Sequence, residues 1–303
     1  MGAEFSAMTK YWMALNSIRG VGPKTLHRLV SRFGSPEQVL SASPFEIARM
    51  LRFDLRLANE IIGVKGRLPD FENFIAHTSA ANIKVLCPDS PEYPPLLKLI
   101  GDFPPILYRK GTELAKDETS VAIVGTRSPS PDGARAAEAM AEWLADRNIV
   151  VVSGLAKGID TAAHSGALRA GGKTLAVIGS GLKMIYPRRN YQLACDICTK
   201  GAVISECHPN EVVSSQRLIQ RNRMISGLSL GVILVEPGNG AINAANWALK
   251  QGRDVFIYSP RGDAPLPQPL AETVSCIHGI DDLCAVVDGL QMPKDESDQM
   301  YLL

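Results

Sequence analysis

Four stretches of this chain gather small residues, hydroxyls and cations within a few positions of one another. Gly125, Thr126, Arg127 and Ser128 are consecutive, with Ser130 and Gly133 just beyond. SGLAKGID at 153–160 carries Ser153, Gly154, Lys157 and Gly158, and GSGLKMIYPRRN at 179–190 carries Gly179, Gly181 and Asn190. QRLIQRNRMISGLS at 216–229 sets Arg217, Arg221 and Arg223 around Asn222. Small residues let backbone N–H groups approach an anion, and helix starts direct partial positive charge at it. Arg127, Lys157, Arg221 and Arg223 add full charges. The chemistry that suits this set is phosphate binding.

Other chemistries lack their residues. GALRAGGKT at 166–174 approximates a phosphate-loop motif, but Gly166 stands one residue too far from Gly172 and Lys173. The segment also runs from helix to strand, the reverse of a nucleotide-binding P-loop. GLAKG at 154–158 is not GxGxxG, so no dinucleotide fingerprint and no cofactor is expected. No serine stands in a nucleophile elbow, and His27, His77, His164, His208 and His278 show no metal spacing. Cys195 and Cys198 form a CxxC with Cys207 and His208 close behind. A helix over 191–200 would turn that pair toward the core, where a free cysteine packs as a small hydrophobe, so no metal is expected. The sequence offers no catalytic constellation.

The elements that must position these loops alternate. Short β-branched runs at 83–87, 121–125, 149–153, 174–179, 202–205, 231–236 and 254–259 are predicted strands, with helices between most of them, including 134–147 and 160–170. Runs that are apolar throughout are expected where helices cover both faces of a parallel sheet. This predicts an α/β, extended Rossmann-like, doubly wound and mostly parallel sheet over 83–290, with ligands taken at the carboxyl ends of its strands.

A small all-helical domain is expected over 1–82, with helical spacing in YWMALNSI, TLHRLVSRF and PFEIARML. Within it, IRGVGPKT at 18–25 has the pattern of a helix-hairpin-helix or SAM-like unit. Gly20, Gly22 and Lys24 there are an accessory phosphate contact, and a plain tight turn is the competing reading. Ser35 is expected to cap the next helix. The linker at 88–111 is proline-rich and expected to be extended rather than helical; residues 291–303 are expected to form a polar tail, and residues 1–8 to be vector-derived.

Composition sets outer limits. The 303 residues are 46% hydrophobic and 21% charged, which is the range of a folded globular protein. Lys and Arg number 32 against 31 Asp and Glu, so any polyanion site must be a local patch. The longest apolar runs are far short of the roughly 20 residues that span a bilayer, and no apolar leader follows a basic start. Six scattered cysteines fit a reducing compartment, and the expectation is a cytoplasmic protein without a membrane partner.

VAIVGTRSPSPDG, VVSGLAKGIDTAAHSGAL, GGKTLAVIGSGL with YPRRN, and RNRMISGLS, preceded by EYPPLLKLIGDFPPILYRKG, resemble in order and spacing the DNA-processing protein A (DprA/Smf) family over about residues 88–260. The resemblance implies single-stranded DNA binding without catalysis, homodimerisation, and delivery of the strand to the RecA recombinase in natural transformation and recombination. On that reading the expected DNA site comprises the phosphate-suited residues of the strand-end loops, Gly125, Thr126, Arg127, Ser128, Ser153, Gly154, Lys157, Gly158, Arg221, Asn222, Arg223 and Gly240, with Tyr186 the one aromatic nearby for base stacking. This chain departs from the family after the strand ending in Glu236. Asn239, Ala241 and Ala245 stand where the family carries Ser, Ser/Thr and Thr, so one wall of the phosphate pocket lacks hydroxyls. That loss also fits the alternative, a sensor or hydrolase for a nucleotide derivative on the same fold. A purely structural adaptor is a third possibility.

Overall fold

The computed structural model describes residues 2–51, 55–113, 118–261, 266–268, 270–290 and 292. The expected polar tail lies outside these residues apart from Met292, as does Met1 of the expected vector-derived start. The chain divides into two compact units, one holding the residues up to Tyr93 together with Ile100–Tyr108, the other holding Pro94–Leu99 and the residues from Arg109.

The first unit is mainly helical: α1 (Gly2–Asn16), α2 (Pro23–Phe33), α3 (Pro36–Ser41), α4 (Pro44–Leu51), α5 (Leu55–Gly63) and α6 (Leu68–Ala80). Ser35 caps α3 as expected, accepting from Gln38 N at 3.1 Å, with Pro36 in the first turn. A boundary expected at 82/83 falls later, because β1 (Lys84–Leu86) and the chain beyond it pack on these helices. Trp12 Nε1 donates to Asp89 at 2.6 Å, His27 Nε2 donates to Phe103 O at 2.8 Å, and Tyr93 OH donates to Pro104 O at 2.7 Å. Burial pushes His27 down to about 4, so it serves here as a neutral packing donor. The proline-rich linker is not wholly extended: it forms a one-turn helix, α7 (Pro95–Lys98), and ends in a strand, β2 (Leu107–Gly111), that sequence patterning missed.

The second unit is a parallel α/β sheet. Its elements in chain order are β3 (Ser120–Gly125), α8 (Pro131–Asp146), β4 (Val150–Ser153), α9 (Ile159–Arg169), β5 (Thr174–Val177), α10 (Tyr191–Lys200) and β6 (Ala202–Ser205), then α11 (Ser215–Gln220), α12 (Asn222–Gly227), β7 (Gly231–Val235), α13 (Asn239–Lys250), β8 (Asp254–Tyr258), α14 (Leu270–Thr273), β9 (Ser275–Ile277) and α15 (Asp282–Gly289). The strands lie in the order β6-β5-β4-β3-β7-β8-β9, and every pairing among them is parallel. Val121, Ile123, Val151, Ile233 and Val235 are fully buried against Ala137, Met140, Ala141 and Leu144 of α8 and Ala163 and Ala167 of α9. Each large side chain so buried contributes about 1.5–3 kcal/mol relative to exposure.

From β3 the chain winds through β4 and β5 to β6 on one side, then returns to place β7 on the other side of β3. Two neighbouring strands whose connections leave in opposite directions open a crevice at their carboxyl ends, which is where such sheets bind ligands. No helix among the described residues is long and apolar enough to cross a membrane.

Candidate nucleic-acid interface

A cavity of about 650 Å³ opens at this switch point. The end of β3 supplies Gly125, Thr126 and Arg127, the loop after β7 and the start of α13 supply Gly238 to Ala241, and α11 and α12 supply Leu218, Ile219, Asn222 and Ile225. Arg127 is exposed and makes no hydrogen bond or ion pair among the described residues.

The four expected cations do not converge. Arg127 and Arg221 line the cavity, whereas Lys157 is exposed outside its lining. Arg223 is 6% exposed and forms a bidentate pair with Glu206, at 3.1 and 2.7 Å, so its charge is already neutralised within the protein. Arg221 lies beneath the cavity at 5% exposure. It donates to Gly154 O at 2.6 Å, to Val177 O, and through Nε to Asn222 Oδ1 at 3.0 Å. A side chain on Gly154 would put its Cβ 2.1 Å from this guanidinium, so Gly154 makes room for Arg221.

Asp160, in the first turn of α9, is 5% exposed and accepts from Ala156 N at 3.3 Å. Burial raises its carboxyl above the usual range, and the Arg221 charge pulls it back down. Arg221 is pushed down by burial and supported by Asp160. Together they make a floor of nearly balanced charge, which leaves Arg127 as the net positive group on the lining. His164 lies below, with Nδ1 donating to Thr174 Oγ1 at 2.6 Å, whose hydroxyl donates to Val151 O at 2.7 Å. Burial first, and then Arg221, push His164 down to about 3, so it stays neutral. Ser153 Oγ donates to Ile123 O at 2.6 Å and is fully buried between β3 and β4.

Three of the helices that start near the strand ends differ in what meets their first N–H groups. At α8, Ser130 caps Gly133 N at 3.0 Å, and the Glu236 carboxylate accepts from Ser130 N at 2.8 Å and from its hydroxyl. A Cβ on Gly133 would strike that carboxylate at 2.5 Å. At α9, Gly158 holds φ +80° against Thr126 O, a conformation and approach only glycine tolerates, and Asp160 follows in the first turn. At α13, Gly238 is the N-cap, no side chain caps the helix, no acidic residue lies in its first turn, and the start faces the cavity. Asn222 Nδ2 donates to Gly240 O at 3.1 Å and to Asn243 Oδ1 at 3.0 Å, fixing that turn. Gly240 itself is exposed, and a Cβ there would meet nothing within 4 Å. Ser128 is exposed, with its N–H on Thr126 Oγ1 at 3.3 Å.

Sequence reasoning missed Asp160, Glu236 and Asn243. The proximity of Asp160 to the 153–158 glycines was a usable signal, but nothing in the spacing links Glu236 to Ser130. Gly20, Gly22 and Lys24 belong to the helical unit: Gly20 turns at φ +93°, Gly22 is the N-cap of α2 without a side-chain cap bond, and Lys24 is exposed. Cys195 and Cys198 are half-buried on α10 rather than turned wholly inward. Among the described residues no group of three or more His, Cys, Asp or Glu is placed to hold a metal ion.

The profile of the DNA recombination-mediator protein A family matches residues 84–284. The chain belongs to that family. It is 38% identical over 252 residues to protein Smf of Synechocystis, an alignment that covers 81% of this chain and 63% of that one, so it spans less than two thirds of that relative. Its fold is similar to that of DNA processing protein A from Streptococcus pneumoniae, with a TM-score of 0.70 and 29% identity over 91% of this chain and 97% of the other. It is also similar to DNA processing protein A from Helicobacter pylori, a protein solved for its single-stranded DNA binding mode, with a TM-score of 0.59 and 25% identity over 69% and 97%. The family match takes in the loops that line the cavity.

Proposed function

We propose that this chain binds single-stranded DNA at the switch-point cavity of a Rossmann-like sheet, without catalysis, and hands the strand to the RecA recombinase during natural transformation and recombination. The observation that carries this reading is the uncapped start of α13 beside the exposed Arg127 on one cavity wall. Unpaired helix N–H groups together with a free guanidinium suit a backbone phosphate, and the Thr126 hydroxyl stands on the same lining. The one carboxylate on the lining, Asp160, is 5% exposed, accepts from Ala156 N and faces the Arg221 charge, so it is held within the protein. Tyr186, 46% exposed, and Lys157 are candidates for stacking and charge outside the cavity. In the same reading the protein is a cytoplasmic homodimer, and the α1–α2 connection acts as a helix-hairpin-helix that adds at most a phosphate contact or two through Gly20, Gly22 and Lys24.

The alternative, a sensor or hydrolase for a nucleotide derivative, is disfavoured by the start of α8. There a nucleotide-binding sheet of this kind would seat a pyrophosphate, and the Glu236 carboxylate already occupies the place. Fluorescence polarisation separates the two. A labelled oligonucleotide should bind with an affinity that falls as salt rises, by a log–log slope of about 0.7 per phosphate contacted, and a labelled mononucleotide should bind far more weakly. Tight binding of the mononucleotide with none of the oligonucleotide overturns the proposal.

A further inference from the structure

The cations of the helical unit sort into two kinds. Lys10 pairs with Glu72, Arg56 with Glu60 at 3.3 Å, Arg67 with Asp70 at 3.7 Å and Lys84 with Glu92 at 2.8 Å. Arg19, Lys24, Arg28 and Arg32 are all exposed, and none of these side chains makes a hydrogen bond or ion pair among the described residues. The four lie together, on α2 and in the turn before it. No Asp or Glu occurs between Glu4 and Glu37, and Glu37 is engaged by the Tyr11 hydroxyl at 3.1 Å.

Lys24, Arg28 and Arg32 follow at four-residue spacing, so they share one face of α2 and climb it by about 6 Å per step. Leu26, His27 and Leu29 are the buried residues of the same helix. Arg19 precedes Gly20, which turns at φ +93°, and Gly22, the N-cap without a side-chain cap bond. An amphipathic helix needs a solvated outer face, but not one of a single sign. Like charges four residues apart disfavour a helix, and Lys24 lies in the first turn, where the helix dipole repels a cation. An anion from outside the chain relieves both.

We infer that this ridge grips the phosphate backbone of double-stranded DNA, as a second nucleic-acid site that goes beyond the cavity and does not depend on it. Sites for single strands combine charge with exposed aromatic platforms. Here His27 is buried, and Phe33, half-buried, lies on the opposite side of the helix from Lys24. A duplex needs no such platform. It presents its phosphates in a fixed array, at about one charge per 1.7 Å of axis against one per 3.4 Å for each strand, which suits cations spaced regularly on a rigid rod.

The test uses the full chain and a labelled blunt duplex without single-stranded ends, read by fluorescence polarisation over a range of salt. Arg28→Gln/Arg32→Gln removes two exposed cations and puts in a good helix former, so circular dichroism should be unchanged. Duplex affinity at low salt should fall roughly tenfold, and the log–log salt slope should flatten by about 1.8, for two phosphates at about 0.9 each. Arg56→Gln/Arg67→Gln makes the same change of charge at cations already paired with acids, and should shift duplex affinity by less than about twofold. An unchanged duplex affinity in Arg28→Gln/Arg32→Gln overturns the inference, as does an equal loss in both double variants, since binding would then follow net charge. A ridge that serves an acidic protein would show as polyglutamate displacing the duplex at equal concentration of charge, which overturns it too. Single-stranded oligonucleotide should keep its affinity for Arg28→Gln/Arg32→Gln, and a parallel loss there would assign the ridge to the single strand instead. Failure of the cavity as a DNA site is distinct from all of these, because it would appear as no binding of a single-stranded oligonucleotide by the wild-type protein.

Discussion

The starts of α8 and α13 face the same end of the sheet, one after β3 and the other after β7, and they have opposite electrostatic fates. The first is closed by the protein's own groups, with Ser130 as cap and the Glu236 carboxylate against the first turn. The second has glycine as its cap, no acid in its first turn, and an exposed arginine nearby. Helix starts near strand ends are therefore not interchangeable as anion sites. What decides is whether a carboxylate from elsewhere in the chain has already arrived.

Copying the closed arrangement onto the open helix should have the largest effect. Gly238→Asp fits sterically, since the nearest atoms to a Cβ there belong to Thr126 at 3.7 Å and beyond and the backbone is extended. It should stabilise α13 by a few tenths of a kcal/mol while weakening oligonucleotide binding by about a hundredfold. Unchanged affinity by polarisation would remove α13 from the site.

Both helix starts depend on the sheet that carries them, and His164 makes that sheet acid-sensitive. Its folded value of about 3 lies below the unfolded value near 6.5, so the unfolded chain binds the extra proton and stability falls as pH drops below about 6.5 toward 3. Between pH 7 and pH 5 the loss from this group should be about 2 kcal/mol. His27, with a folded value of about 4, acts in the same sense in the helical unit. Urea denaturation at the two pH values should show a smaller loss in a folded His164→Gln variant.

Arg127→Ala should weaken binding by about tenfold and flatten the salt slope by about one phosphate contact. Lys157→Ala, outside the cavity, should change affinity about twofold. The reverse ranking would move the site toward α9. Smallest for binding is Glu236→Gln, which discharges the closed start. It should cost about 1 kcal/mol of stability and leave oligonucleotide affinity unaltered, as thermal unfolding and polarisation can show.

The strands that carry the site were legible because parallel strands covered on both faces become continuous β-branched runs, and AVIS at 202–205 matches β6 residue for residue. β2 and β9 escaped because LYRKG carries two cations behind a proline-rich stretch and SCI is only three residues long. The glycines and arginines of the site were visible by type, but their destinations were not. Glu206 and Glu236 decide what Arg223 and α8 can bind, and they reach their partners across 17 and 106 residues, a pairing that local spacing does not encode.

Arg221 joins the end of β4 at Gly154, the end of β5 at Val177 and, through Asn222, the first turn of α13. It works as a cross-brace for the rim of the sheet. Its removal leaves buried carbonyls without donors, at about 1–3 kcal/mol for each, and unclamps the helix that holds the candidate phosphate position. An alanine scan scored by lost DNA binding would therefore rank Arg221 among the strongest positions even if its guanidinium never meets the strand, and only a parallel stability measurement would separate the brace from the contact.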